Sequence, residues 1–105
     1  MIKEIEPAVV MERLNKKEDI ILLDVREEWE YQINHLNGAL HVPLGEIPRR
    51  SSTLDPHKEI VVYCHHGVRS HTACMILRQQ GFINVKNLKG GIEAWADIDP
   101  AVKHY

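Results

Sequence analysis

Two apolar runs, "IILLDV" (residues 20–25) and "EIVVYC" (59–64), constrain this chain more than any other feature. Neither alternates polar with apolar residues. Each has the continuous aliphatic character of a strand covered on both faces. Strands of that kind need helices above and below them, and the intervening segments supply candidates. "PAVVMERL" opens on Pro7, suited to a first helical turn, and Val10, Met11 and Leu14 recur at helical spacing. "REEWEYQINH" reads as a short helix with Glu27 and Glu28 favourably placed near its positive end. "RSHTACMILRQQG" is the clearest helix: Ala73, Ile76, Leu77 and Gln80 share a face, and Gly81 suits its C-terminal cap. Short strands are predicted at residues 2–5, in "GALHVP" before Pro43, and in "INVKNL", with a last short helix in "GGIEAWADI". "GEIPRRSSTLDP" is polar, and Pro48 limits any helix there.

This order predicts an α/β architecture: a central, mostly parallel five-stranded sheet with helices on both faces, in one domain over residues 1–105. At 105 residues such a chain buries roughly two-thirds of its unfolded surface, enough for a core of its own. Ligands of open α/β sheets bind outside the carboxyl ends of the strands. Asp24 and Cys64 stand at those ends of the two most apolar strands, and so are expected on one rim.

Charge and composition exclude several classes. A net charge of -2 argues against a nucleic-acid partner. The opening "MIKEIEPAVV" carries charges too early for a signal peptide, and no apolar run approaches the ~20 residues that span a membrane. Two cysteines make no disulfide framework. The expectation is a cytoplasmic monomer.

The chemistry concentrates in "CHHGVRS", residues 64–70, read as a loop from strand to helix. Amides in such a loop have neither ladder nor helical partners, and curled around a centre they cradle an anion. A helix starting near Ser70 adds free N–H groups and the positive end of its dipole. Gly67 permits a backbone angle other residues resist, and Arg69 adds a permanent cation. A thiol placed there is expected to have a lowered pKa and to act as a covalent nucleophile. Cys74, mid-helix beside Ala73 and Leu77, reads as packing. A zinc site built on Cys64, His65, His66, His71 and Cys74 lacks a second ligand pair and contains Arg69, so no metal is assigned. His57 and His104 read as solvated surface, and His35 and His41 as local structural residues.

Four segments together resemble the single-domain rhodanese-like sulfurtransferases. "CHHGVRS" is similar to that family's Cys-x-x-Gly-x-Arg-Ser loop, and "LLDVRE" to its Asp-x-Arg signature. "HLNGALHVPL" and "LKGGIEAW" are similar to its His-x-x-Gly-Ala…Pro and Gly-Gly…Trp segments, in the same order. The resemblance implies that Cys64 carries a persulfide, with His65, His66, Gly67, Val68, Arg69 and Ser70 binding the substrate and the transferred sulfur. Arg69 and Ser70 would stabilise the thiolate. Asp24 and Arg26 would brace the pocket rim or simply form a buried ion pair. Gly90, Gly91 and Trp95 read as a tight turn and packing. A sulfane sulfur would pass from thiosulfate or a persulfide to a thiol or cyanide, or along a protein sulfur relay, without cofactor.

Two other classes compete with that reading. One is a non-catalytic rhodanese-like binding or regulatory module, and such modules commonly lack the cysteine. The other is a small cysteine-dependent phosphatase or arsenate-handling enzyme, whose loop is Cys-x₅-Arg. Here four residues separate Cys64 from Arg69, a tighter ring that favours sulfur. His65 and His66 stand where good thiosulfate users carry permanent cations. Thiosulfate is therefore expected to bind weakly near neutrality and better toward about pH 6.

Overall fold

A computed structural model describes residues 1–105. In chain order its elements are β1 (Lys3–Ile5), α1 (Pro7–Asn15), β2 (Ile20–Asp24), α2 (Glu28–Ile33), β3 (Leu40–His41), α3 (Ile47–Arg50), β4 (Glu59–Tyr63), α4 (Val68–Gln79), β5 (Val85–Leu88) and α5 (Gly91–Ile98). The five strands form one sheet in the order β1-β5-β4-β2-β3, and every pairing is parallel.

Alternate side chains of the central strands feed two separate cores. Leu22, Val61, Tyr63 and Leu88 pack with Val10 of α1 and with Ile92 and Trp95 of α5. Leu23, Ile60, Val62 and Val85 pack with Ile47 of α3 and with Ala73, Cys74 and Leu77 of α4. The sheet is therefore covered on both faces, as the unbroken apolar runs of β2 and β4 required. No helix is long and apolar enough to cross a membrane.

The structure departs from expectation at three boundaries. β4 ends at Tyr63, so Cys64 is the first residue beyond the ladder. α4 starts at Val68, ahead of Ser70. Residues 47–50 form a helix despite Pro48, because the proline lies in the first turn, where its missing N–H has no intrahelical partner to lose. Fully buried Ile47 anchors that turn to the sheet.

The winding positions the site. After β2 the chain moves outward to β3, and after β4 it moves the opposite way to β5. Connections that diverge like this leave a crevice at the carboxyl ends of the two strands between them. Asp24 pairs in register with Tyr63, so β2 and β4 release their exit loops at the same level.

Candidate active site

Cys64 lies just past the carboxyl end of β4, 1% exposed. Its Sγ accepts from the Gly67 amide at 3.1 Å, and the Ser70 hydroxyl lies 3.4 Å away. The loop reaches this shape because Gly67 adopts φ 114°, in the left-handed region, and turns the chain directly into α4. The amides of the first turn of α4 precede its first hydrogen bond, made by His71 to the Gly67 carbonyl at 3.2 Å.

α5 helps to aim the loop by holding two of its carbonyls on the side away from the sulfur. The amides of Ile92 and Glu93 donate to the carbonyls of Cys64 (2.9 Å) and His65 (3.1 Å). In a planar trans peptide the N–H points opposite to the C=O. A His65 carbonyl drawn toward α5 thus turns the His66 amide inward. Such close approach needs Gly91: a β-carbon there would lie 2.3 Å from the His65 oxygen and 2.6 Å from that of Cys64. Gly91 therefore does more than make the tight turn expected of it.

Asn87 of β5, 1% exposed, clamps the same loop. Its Nδ2 donates to the Gly67 carbonyl at 2.9 Å, and its Oδ1 accepts from the Ser70 hydroxyl at 2.5 Å. A serine hydroxyl has one proton. Asn87, the nearer acceptor, shares it with the sulfur, so the hydroxyl is a partial donor to Cys64 and the amides are the full ones.

Arg69 has a different partner from the one expected. Both terminal nitrogens bind Glu30, at 2.6 and 2.9 Å, while Sγ receives no hydrogen bond from it. Glu30 is 4% exposed and stands in the first turn of α2, where the Glu27 amide also donates to it at 3.0 Å in a capping box. The Tyr105 hydroxyl completes its shell at 2.6 Å. The Arg69 guanidinium, with Tyr105 and the Glu27 amide, holds the Glu30 carboxyl down at about 2 against the contrary pull of burial.

Asp24 and Arg26 are both fully buried and paired at 2.7 Å. Arg26 also donates to the Asn34 side chain (2.9 Å) and backbone carbonyl (2.5 Å), and its guanidinium lies over the rings of Tyr63 and Tyr105. The pair ties the exit of β2 to the residue after α2.

Opposing effects set the state of the Cys64 thiol. Burial pushes it up. Hydrogen bonds from the Ser70 hydroxyl and from the amides of Ser70, Gly67 and His66 outweigh burial, and the thiol falls below its ordinary range. Cys74, fully buried without such donors, is pushed up to about 12.

The remaining residues of the motif do not converge. Val68 is 78% exposed and His66 is exposed, its ring against that of His65. His65 is sandwiched by His66 and by the Tyr105 ring (4.1 Å), and its Nε2 is 3.6 Å from Glu93. No three His, Cys, Asp or Glu side chains gather as metal ligands. His104 is exposed, as expected, and also pairs with Glu93 at 2.9 Å. His35 and His41 both stack on Tyr31.

This arrangement has known counterparts. The model of the "Rhodanese-like domain" matches residues 6–98. The chain belongs to the rhodanese-like family. A protein named "Sulfurtransferase" from Allochromatium vinosum is 41% identical over 96 residues, covering 91% of this rhodanese-like chain and 90% of the relative. "Thiosulfate sulfurtransferase GlpE" from Coxiella burnetii is 38% identical over 87 residues, covering 83% and 81%. The crystal structure of a rhodanese-related protein from Thermoplasma volcanium superposes with a TM-score of 0.85 at 28% identity, covering 98% of this chain and 99% of that one. The rhodanese-like assignment thus agrees with the four motifs and with the parallel five-stranded sheet.

Proposed function

We propose that this chain transfers a sulfane sulfur from thiosulfate or a persulfide to a thiophilic acceptor through a persulfide on Cys64. One observation carries the reading: Sγ sits on inward-facing backbone amides, with Gly67 N at 3.1 Å, and its thiol lies below the ordinary range. The named sulfurtransferases among the relatives support it. So does the short spacing from Cys64 to Arg69.

In the first step the Cys64 thiolate attacks the outer sulfur of thiosulfate. The sulfur–sulfur bond of the donor breaks, sulfite leaves with the electron pair, and Cys64 holds an outer sulfur anion. His66, Gly67 and Ser70 offer amides to that charge as they do to the thiolate. In the second step a thiolate or cyanide attacks the outer sulfur, and the Cys64 thiolate is restored as leaving group. Asp24 and Arg26 act as supports, and the chain works as a cytoplasmic monomer.

Intact mass after incubation with thiosulfate, and separately with a low-molecular-weight persulfide, tests this. A gain of one sulfur atom, absent in Cys64→Ser and discharged by cyanide, is expected. No gain with either donor would contradict the proposal and favour a binding module.

A further inference from the structure

No helix or strand follows Ile98, yet residues 99–105 do not trail away. Asp99 starts a turn by accepting from the Trp95 indole (2.9 Å) and the Ala101 amide (3.0 Å), and the chain then runs back to the Cys64 loop, where Tyr105 stacks on His65. Side chains make most of its ties. Asn34 donates to the Lys103 carbonyl, His104 meets Glu93 (2.9 Å) and Asp97 (3.4 Å), and the Tyr105 hydroxyl donates to Glu30 (2.6 Å). The start of the strap, residues 99–102, borders a hollow of about 350 Å³ shared with Leu22, Leu36 and Trp95. A segment held by a few side-chain contacts beside a hollow separates from the domain at little free-energy cost.

Tyr105 touches both sides of the loop. Its ring stacks on His65, the residue after the cysteine, at 4.1 Å and 18°. Its hydroxyl binds the carboxylate that holds Arg69, five residues after the cysteine. Trp29, 62% exposed, meets its edge at 6.4 Å. Cys64, below, is 1% exposed. A nucleophile so covered admits no bulky donor until something moves, and the strap, tied mainly through side chains, is a segment with little to hold it.

On the reading that Cys64 is the nucleophile, we propose that Tyr105 is its gate: the strap 99–105 closes over the Cys64 loop through Tyr105 on His65 and Glu30, and its opening decides which sulfur donors reach Cys64 by their size. With the strap shut, only small donors approach. A persulfide borne on a peptide or protein requires Tyr105 to leave, and the exposed Trp29 and Val68 then flank the opened mouth.

The test uses the full chain and no sulfur donor, so it stands whether or not Cys64 forms a persulfide. Alkylation of Cys64 is timed with a small reagent, iodoacetamide, and a bulky one, N-phenylmaleimide, and located by peptide mass. A change in thiolate reactivity moves both rates together, whereas a gate moves their ratio. In Tyr105→Ala the bulky-to-small ratio is expected to rise about fivefold, the factor that losing one hydrogen bond of about 1 kcal/mol gives an open–closed equilibrium. His104→Ala, which loosens the strap but keeps the ring, is expected to raise it in the same direction. Ratios equal to wild type in both variants would overturn the proposal.

Discussion

Gly91→Ala tests how the loop is shaped from a distance. Gly91 is 27 residues after Cys64 and never touches the sulfur. Its φ of 65° lies in the left-handed region, which strains an alanine by about 1–2 kcal/mol. The new β-carbon would also sit 2.3 Å from the His65 oxygen, where ordinary contact begins near 3.4 Å. The carbonyl must retreat by about 1 Å in a close-packed site, an overpacking worth about 1–3 kcal/mol. Together these give a loss of about 2–5 kcal/mol, a large part of the total stability of an ordinary domain. The same retreat rotates the His66 amide off the sulfur, so the Cys64 thiol should rise. Urea unfolding reads the first effect, and the pH dependence of Cys64 alkylation reads the second. A variant within about 1 kcal/mol of wild type, with an unchanged thiol titration, would refute the argument that α5 shapes the loop.

Three further outcomes follow from the same geometry. Asn87→Ala leaves the Gly67 carbonyl without its side-chain donor and should cost about 1–3 kcal/mol in urea unfolding. Acid should weaken the fold through Glu30 and Glu59, each held at about 2 by cationic partners. Their pKa values are depressed in the folded state, so that stabilisation is complete above about pH 4.5 and is lost as pH falls toward about 2. For Glu30 alone it is on the order of 3 kcal/mol, and Glu30→Gln should flatten the slope of stability against pH in that window. Cys74→Ala should load sulfur as wild type does, because a fully buried thiol pushed up to about 12 is neither accessible nor ionised at neutral pH; loss of loading would show that Cys74 takes part.

The sheet was legible because β2 and β4 are apolar on both faces, and only a layered α/β arrangement buries such strands twice. Cys64, Gly67 and Ser70 were legible because a local run of residues builds their loop. What sequence reasoning missed is non-local. Glu30 looked like one more glutamate in "REEWE", and its burial depends on Arg69, 39 residues later. The charge of Arg69 was expected on the sulfur for the same reason, since nothing local announces Glu30 as its partner. Asn87 left a faint signal, a polar residue between Lys86 and Leu88 in a buried strand, but its partners lie in another element. Gly91 was visible as a turn; its contact with the Cys64 and His65 carbonyls appears only once α5 meets the loop. His104 and Tyr105 follow the last regular element, where no periodicity points to a neighbour.

The central claim is that backbone amides and the Ser70 hydroxyl hold the Cys64 sulfur as an anion despite its burial. Titrating thiolate absorbance in wild type against a Cys64→Ser control measures this directly. The account predicts a midpoint below that of free cysteine, rising toward it in Ser70→Ala. A midpoint at or above that of free cysteine in wild type would contradict it.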